Sequence, residues 1–400
     1  MIPSPPPGMR MTPARAAVIG ALLTALGSVS MALYTPAMPT LVTVFGTSMS
    51  LVKATLTAYF FGFAVTQLVC GPLSDAYGRR PVALAFLVLY GLGGLGGLLA
   101  PSIEVLIAAR LVQGIGAAVG VSVSRAVVRD LFTGRESARV LNAIGIVLSI
   151  GPAVAPTLGG VILQVAGWRA IFAVMVLLAV ASIATVHVFL PETNTSRDPT
   201  LIRPFRIAAT YGRLAIDPRF FRPAVALGVS VGSIYALGTL LPFVLIGRVG
   251  LDPTLFGLGM LAQTGSYFAG GLAARALMSR VGVEKLVAPG LFVAVIGACA
   301  TLFLEHGVEP GWATVMVPVG VYAFAIALVI PPLTTAVLAP FPGTAGSASA
   351  LLGFLQMGSG FLGGLIGALF TDPVIALQVV FPAMQAIALA VHLFAPRRRA

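Results

Sequence analysis

The chain has 400 residues, of which 58% are apolar and only 9% are charged, and its mean hydropathy is +1.02. Soluble domains carry about 25% charged residues, so a water-soluble fold of this composition is excluded because it could not cover its surface. In a bilayer, lipid-facing side chains gain nothing from polarity and helices satisfy their own backbone groups. The long apolar runs therefore predict transmembrane helices of about 20 residues.

Apolar runs between charged, proline-rich or glycine-rich segments predict twelve transmembrane helices. We place them at residues 16–39, 51–71, 82–100, 104–124, 138–163, 168–190, 223–246, 255–278, 286–304, 312–334, 345–370 and 374–394. The first run follows a short basic segment and is longer than the apolar core of a cleaved signal peptide, so we expect it to remain as the first helix.

The distribution of positive charge predicts the orientation of these helices. If the N-terminus is cytoplasmic, every lysine and arginine except Lys53, Arg110, Arg169 and Arg248 falls in a cytoplasmic segment. Because cytoplasmic loops are enriched in these residues, the pattern favours an even number of spans in an inner membrane, with both termini cytoplasmic. The arginines form no stripe interleaved with aromatic residues, so the net charge of +12 predicts attraction to anionic lipids and no nucleic-acid partner.

A polar stretch divides the chain into two sets of six predicted helices. The predicted organisation is an N-terminal six-helix bundle at 1–190, a cytoplasmic linker at 191–222 and a C-terminal six-helix bundle at 223–400. At an offset of 204, Leu73, Gly78, Leu158, Gly159 and Gly160 correspond to Leu277, Gly282, Leu362, Gly363 and Gly364. One offset at two separate places indicates an internal duplication, which transporters often contain.

A short motif joins the second and third predicted helices. Residues 71–81 read GPLSDAYGRRP and resemble, at every defining position, the signature loop G-x-L-x-D-x-x-G-R-R/K of the major facilitator superfamily. The resemblance implies a conformational latch formed by Gly71, Asp75, Gly78, Arg79 and Arg80. Gly78 permits a tight turn, and Asp75 can pair with a helix N-terminus or a neighbouring arginine. The alternative is an ordinary basic turn at a helix end.

Arg110 stands inside the fourth predicted helix and is followed by Gln113 and Gly114. The segment resembles the second motif of the same superfamily, R-x-x-Q-G. A charge in the middle of a bilayer costs about 2.5 to 3.5 kcal/mol, so we expect this guanidinium to face a cavity or a partner. The alternative is that Arg110, six residues after Glu104, lies shallow enough for its side chain to reach the membrane surface.

The fifth predicted helix contains a segment rich in proline and glycine. Residues 151–160 read GPAVAPTLGG and resemble the antiporter motif of drug exporters, G-x-x-x-G-P-x-x-G-G, with Ala155 and Asn142 where that pattern has glycines. The resemblance implies that the gating residues are Gly151, Pro152, Pro156, Gly159 and Gly160. Small residues let helices approach closely and prolines bend a helix, but simple packing is the alternative.

Two further segments resemble the Bcr/CflA-type drug exporters. Residues 34–39, YTPAMP, are similar to the Y-L-P-A-L-P segment of that family, and residues 125–132, RAVVRDLF, are similar to its R-A-x-V-R-D-L-F segment. The resemblance implies export of varied small molecules driven by protons. The chain departs from the family at Ala32, where the first helix usually has an acidic residue.

The acidic residues all fall in predicted loops or near predicted helix ends, and so do His187, His306 and His392. Proton relays inside membranes usually use such groups, so this chain has no obvious relay at mid-depth. The sequence leaves two alternatives open. Protons are coupled through Glu104, Asp75 or another end group that enters the cavity, or transport is not coupled to protons.

The resemblance implies a central cavity between the two bundles, lined by polar and aromatic side chains. The candidates for substrate binding are Tyr34, Tyr59, Phe63, Gln67, Arg110, Gln113, Tyr235, Gln263, Tyr267 and Gln356. For each of them, routine packing between helices is the alternative. With Arg110 as its one candidate charge, the cavity is expected to favour neutral, zwitterionic or anionic amphiphiles over cations.

The sequence thus predicts an all-helical membrane protein with the major facilitator fold. Its expected function is export of small amphiphilic drug-like or metabolite molecules by alternating access, coupled to protons. The expected partners are a small-molecule substrate, the lipid bilayer and protons, with no cofactor, no metal and no enzymatic activity, and the chain is expected to be a monomer. The alternatives are a facilitator without proton coupling and a transporter-derived membrane sensor or subunit.

Overall fold

The computed structural model of the protein describes residues 11–395, without the side chains at 146–149. The predicted cytoplasmic residues Arg10, Arg397, Arg398 and Arg399 lie outside this range, as does most of the basic N-terminal segment. The described chain is almost entirely helical. Its β-structure consists of an isolated bridge between Leu304 and Val308.

Each of the twelve predicted spans corresponds to one long helix. The helices are α1 Pro13–Tyr34, α2 Met49–Tyr77, α3 Arg79–Leu98, α4 Ile103–Leu131, α5 Gly134–Ala166, α6 Trp168–Phe189, α7 Pro218–Pro242, α8 Pro253–Val281, α9 Val287–Ala300, α10 Trp312–Leu338, α11 Ala345–Ala368 and α12 Pro373–Phe394. A tight turn extends α1 into a short helix at Met38–Val44, and α4 is interrupted at Ala118. The predicted fold class is confirmed.

Among the described residues, eleven helical segments are long and apolar enough to cross a membrane, and α8 is not one of them. This helix is nevertheless 29 residues long. Its hydropathy is lowered by several glycines and by polar residues such as Gln263, Ser266 and Tyr267. Because α8 packs against α10 of the second set of helices and against α5 of the first set, its length and position supply the twelfth span.

The helices begin and end at residues that cap a helix terminus. The Ser48 side chain accepts a hydrogen bond from the backbone of Leu51 at the start of α2. Gly78 ends α2 with φ +106°, and Gly282 ends α8 with φ +87°, in the region of backbone space that favours glycine. These two glycines are related by the repeat offset found in the sequence. The duplicated halves therefore share a turn geometry as well as residue types.

The first six helices pack mainly on one another, and so do the last six. Within the first set α1 contacts α5, α2 and α3 contact α4, and α3 contacts α6; within the second, α7 contacts α11 and α12, and α10 contacts α8 and α9. Across the two sets, the principal contacts are α2 with α11 and α5 with α8. The domain boundaries at 190 and 222 remain a prediction, although α7 begins at Pro218.

The segment between the two sets contains a helix, Pro204–Ile216, which we call the linker helix. Its Leu214 is buried, and the Tyr211 hydroxyl donates a hydrogen bond of 2.7 Å to the carbonyl of Leu68 in α2. Burial raises the pKa of Tyr211 to about 12, so this hydroxyl stays protonated as the donor. We call the face of the molecule with the linker helix the linker side, and the other face the opposite side.

Candidate functional site

Arg110 is enclosed between two tyrosine rings. Its guanidinium carbon lies 4.5 Å from the ring centre of Tyr34 and 4.3 Å from that of Tyr59. The side chain is 0% exposed, and its Nη1 donates to Gln113 Oε1 at 2.5 Å. Its Nε and Nη2 have no hydrogen-bond partner among the described residues. Arg110 therefore neither reaches the membrane surface nor faces an open cavity in this conformation.

Each tyrosine around Arg110 is fixed by its phenol group. The Tyr34 hydroxyl lies 2.6 Å from Thr55 Oγ1, and the Tyr59 hydroxyl donates to the carbonyl of Gly27 at 2.8 Å. Tyr90, which the sequence did not single out, is hydrogen-bonded to Ser30 and is fully buried. Four helices thus contribute to the enclosure. Since tyrosine faces carry negative potential, these rings stabilise a buried cation without a carboxylate.

The remaining predicted substrate residues are divided between four places. The ring centres of Phe63 and Tyr59 lie 6.2 Å apart. Tyr235, which belongs to the second set of helices, has its ring centre 5.5 Å from that of Phe60. Gln263 and Tyr267 lie on α8, where Gln263 Oε1 is buried without a hydrogen-bond partner in the described structure. Gln356 is half-buried on α11. Gln67, with an exposure of 5%, lies towards the linker side.

Arg79 is the centre of the predicted latch. It is 4% exposed, forms an ion pair with Asp75, and its Nε donates to Asp130 Oδ2 of α4 at 2.9 Å. Arg79 Nη1 also donates to Ser74 Oγ at 2.7 Å. Arg129 of α4 lies 4.0 Å from the Asp75 carboxylate. The latch loop is therefore joined to the end of α4, a partner that the loop motif alone does not identify.

Glu192, from the segment after α6, binds the backbone of the latch at the start of α3. Its carboxylate accepts hydrogen bonds from the backbone N–H groups of Arg79 and Arg80, at 2.9 and 3.3 Å. A side chain at Gly78 would collide with this carboxylate, since an added Cβ would lie 2.3 Å from Glu192 Oε2. Arg80 Nη2 donates to the carbonyl of His187. Gly71, by contrast, has open space around it and lines a cavity.

The predicted gating residues of α5 lie where the helix meets two neighbours. A Cβ at Gly159 would lie 2.2 Å from the carbonyl oxygen of Leu33 in α1. A Cβ at Gly160 would lie 2.4 Å from the carbonyl oxygen of Pro253 in α8. Gly151 similarly faces the side chain of Val29. These glycines permit close backbone approach, as expected for small residues between membrane helices.

The prolines of the same segment, Pro152 and Pro156, do not end α5, which continues as one helix from Gly134 to Ala166. Near its end, Gln164 is hydrogen-bonded to Asp252 and to Thr254, the latter at 2.9 Å, at the start of α8. The two sets of helices are therefore joined on the opposite side through α5 and α8.

Lys53 makes the second connection on the opposite side. The charge pattern placed this residue outside the cytoplasmic segments, and its side chain is 0% exposed within α2. Its Nζ donates to the carbonyls of Gly367 at 3.0 Å and Phe370 at 3.4 Å, at the end of α11. Ser50 Oγ donates to the carbonyl of Ala368 at 2.5 Å. Unsatisfied carbonyls at a helix C-terminus attract a cation, so Lys53 seals α2 against α11.

A cavity of about 380 Å³ lies between the two sets of helices on the linker side, and we call it the linker-side cavity. Its walls are formed by parts of residues 67–79, 121–129, 201–211 and 343–350. Gln67, Gly71, Asp75 and Arg79 are the sequence-predicted residues that line it. Arg125 also lines it. This residue begins the segment 125–132 that resembles the drug exporters, but the sequence predicted no role for it.

No group of three or more metal-ligating side chains occurs in the described part of the chain. Two six-helix bundles that are joined on one side of a membrane protein, with a cavity between them on the other, are typical of membrane transporters. The sequence profile of the Major Facilitator Superfamily matches residues 20–364. The chain belongs to this superfamily, whose members are transporters and not enzymes.

Known proteins of similar sequence are also transporters. The chain is 31% identical over 361 residues to the uncharacterised MFS-type transporter YdgK of Bacillus subtilis strain 168, covering 87% of this chain and 86% of that protein. It is 28% identical over 351 residues to multidrug resistance protein D of Escherichia coli K12, covering 86% of each. The resemblance to drug exporters is thereby confirmed.

The fold is shared with solved structures of low sequence identity. The xylose transporter XylE from E. coli, in a partially occluded inward-open conformation, matches with a TM-score of 0.72. The match covers 96% of this chain and 98% of that one, at 15% identity. It shows that the helices of this protein have the transporter arrangement.

Proposed function

We propose that this transporter is a secondary active exporter of small amphiphilic drug-like or metabolite molecules, and that it works by alternating access with proton antiport. The observation that carries the proposal is the asymmetry between its two sides. Lys53 and Gln164 seal the bundles together on the opposite side, whereas a cavity separates them on the linker side. The similarity to multidrug resistance protein D supports export of drug-like molecules.

We assign the linker side to the cytoplasm of a bacterial inner membrane, with both termini on that side and the chain a monomer. The reason is the charge distribution, because the linker, the latch loop and the segment 125–139 together hold most of the arginines of the described chain. The cavity then faces the compartment from which an exporter must take its substrate.

Proton coupling is assigned to Asp75 in preference to Glu104. Asp75 lines the linker-side cavity, is 37% exposed there, and is bonded to Arg79, which also binds Asp130. Glu104 lies in the first turn of α4, exposed, outside the cavity. Protonation of Asp75 would weaken the ion pair with Arg79 and thereby loosen the latch between α2, α3 and α4.

The position of the carboxylates favours two alternatives to a proton-coupled exporter. Every carboxylate of the described spans lies within a few residues of a helix end, which favours either a facilitator without proton coupling or a transporter-derived sensor. A facilitator would equilibrate substrate but not concentrate it. A sensor would bind a ligand without moving it.

The test is transport by purified protein in proteoliposomes under an imposed pH gradient, with a panel of neutral, anionic and cationic fluorescent amphiphiles. We expect uphill movement of at least one dye in the wild type and its loss in Asp75→Asn, because the amide cannot take up a proton. Asp198→Asn, a change at a half-buried residue of the linker outside the cavity, is the matched control and should transport normally. Equilibration without accumulation would establish the facilitator, and absence of all flux would contradict transport.

A further inference from the structure

The linker-side cavity has an excess of positive charge. The charged residues that line it are Arg79, Arg125, Arg129, Arg206 and Asp75. Arg79 is neutralised by Asp75 and by Asp130 outside the cavity. Asp75 is also the nearest carboxylate to Arg129, at 4.0 Å, so one acid is shared by two guanidinium groups. The cavity therefore presents a net positive field to any molecule that enters it.

Arg125 is the least compensated of these arginines. Its side chain is exposed on the cavity wall, and its Nη1 donates to Ser349 Oγ of α11 at 2.5 Å. Within residues 11–395, no carboxylate forms an ion pair with it. A guanidinium has five N–H donors in a planar fork that matches a carboxylate or phosphate, and Ser349 occupies one of them. Arg125 is thus free to bind an anionic group.

Arg206 faces the same space from the linker helix. Its Nη1 donates to Thr200 Oγ1 at 2.7 Å, which fixes the side chain at the cavity mouth. Hydroxyl groups that also line the cavity, including those of Ser122 and Ser347, can donate further hydrogen bonds to an anion. The polar groups of the cavity are therefore mostly donors.

The size and the remaining walls of the cavity indicate more than a simple ion. A volume of about 380 Å³ lies within the range of small-molecule pockets, which is roughly 300 to 1,000 Å³. Pro72, Val121, Leu201 and Ile207 give it apolar surface beside the arginines. The combination fits a molecule with one anionic headgroup and an apolar body.

We propose that the linker-side cavity is the entry site for the exported substrate and that it selects anionic amphiphiles through Arg125. The proposal rests on the exporter function proposed above. Arg125 belongs to α4 in the first set of helices, whereas Ser349 belongs to α11 in the second. Movement of the two sets would separate the groups that surround the headgroup, so the affinity changes between the two conformations, as alternating access requires.

The test is direct binding in nanodiscs of uncharged phosphatidylcholine, without any gradient. The probes are dansyl-undecanoate and dansyl-undecylamine, which share a fluorophore and a chain and differ in the sign of the headgroup. We expect the wild type to bind the carboxylate probe at least about tenfold more tightly than the amine, with a preference that declines as salt is added. Equal affinities would overturn the proposal.

Variants separate the role of Arg125 from a general effect on folding. Arg125→Gln should abolish most of the preference for the carboxylate probe, and Arg125→Lys should restore part of it. Arg135→Gln, an exposed cytoplasmic arginine that does not line the cavity, is the matched control and should bind as the wild type does. A preference that survives Arg125→Gln in a folded protein would overturn the assignment.

Anionic lipid headgroups share this chemistry, so a second arm adds phosphatidylglycerol to the nanodiscs. Unchanged probe binding supports a substrate site, whereas displacement of the probe would assign the cavity to a lipid headgroup and overturn the substrate assignment. Failure of the exporter function can be distinguished, because binding is measured without transport. Anion binding without flux would contradict the exporter alone, and flux without anion preference would contradict this site alone.

Discussion

At the residue scale, the buried charge of Arg110 is stabilised by aromatic faces and not by an acid. Its transfer to the middle of a membrane costs about 2.5 to 3.5 kcal/mol. Two desolvated cation–π contacts, with Tyr34 and Tyr59, return up to about 2 kcal/mol each. These opposing contributions nearly cancel, so Arg110 adds little to stability. A charge retained at such a position is more easily explained by function than by folding.

This argument predicts that stability and transport respond differently to one substitution. Arg110→Met keeps most of the side-chain volume and removes the charge, so its melting temperature should stay within a few degrees of the wild type or rise. Transport in proteoliposomes should fall at least about tenfold. Arg248→Met, at the end of the helical turn Phe243–Arg248 that follows α7 on the opposite side, is the control; this arginine pairs with Glu305, and the variant should transport normally. Full transport by Arg110→Met would show that the enclosed charge has no part in the cycle.

At the scale of elements, α2 is bonded to the rest of the molecule at both ends. On the opposite side its Lys53 binds the carbonyls at the end of α11. On the linker side its Asp75 binds Arg79, which holds Asp130 at the end of α4. A rigid helix with breakable contacts at each end transmits an opening at one side to the other.

The seal predicts a measurable change when its cation is removed. Lys53→Met abolishes two hydrogen bonds from a charged donor, each worth about 1.5 to 3 kcal/mol, so the opposite side should open at least about a hundredfold more often. The reporter is Thr57→Cys in a cysteine-free background, because Thr57 is buried beside Gly364 of α11. Its labelling by a membrane-impermeant maleimide should accelerate by the same factor.

Lys285→Met, an exposed change on the linker side, is the control for this measurement. It should leave the labelling rate of Thr57→Cys unaltered. A rate that is equally slow in Lys53→Met would show that α2 and α11 are held together by their apolar contacts alone.

At the scale of the whole molecule, the paired bundles require that both ends of the chain and the linker share one side of the membrane. Cysteines introduced by Ser196→Cys in the linker and Glu309→Cys between α9 and α10 should be labelled from different sides, the first from the cytoplasm. Epitope tags at the two termini should both be cytoplasmic. Ser196 and Glu309 are both exposed, so the labelling of the introduced cysteines reports the side of the membrane and not burial. Termini on different sides would contradict the twelve-helix topology.

The sequence by itself determined the features that depend on local composition. Lipid as the solvent, the number of long helices and the glycine turns at Gly78 and Gly282 follow from hydropathy and backbone sterics, which neighbouring residues fix. The latch motif could be recognised because its residues are consecutive. The membership of the superfamily followed from these motifs and is confirmed by the comparison.

Only the tertiary structure decided which distant residues meet. The sequence could not show that Lys53 binds α11, more than 300 residues away, that Glu192 caps α3, or that two tyrosines enclose Arg110. It also could not place Arg125 on a cavity wall beside Ser349. In a long apolar helix, the residues that face lipid and those that face other helices are similar in polarity. The sequence of such a helix therefore does not reveal which face meets which neighbour. That choice is made by packing between helices far apart in the chain.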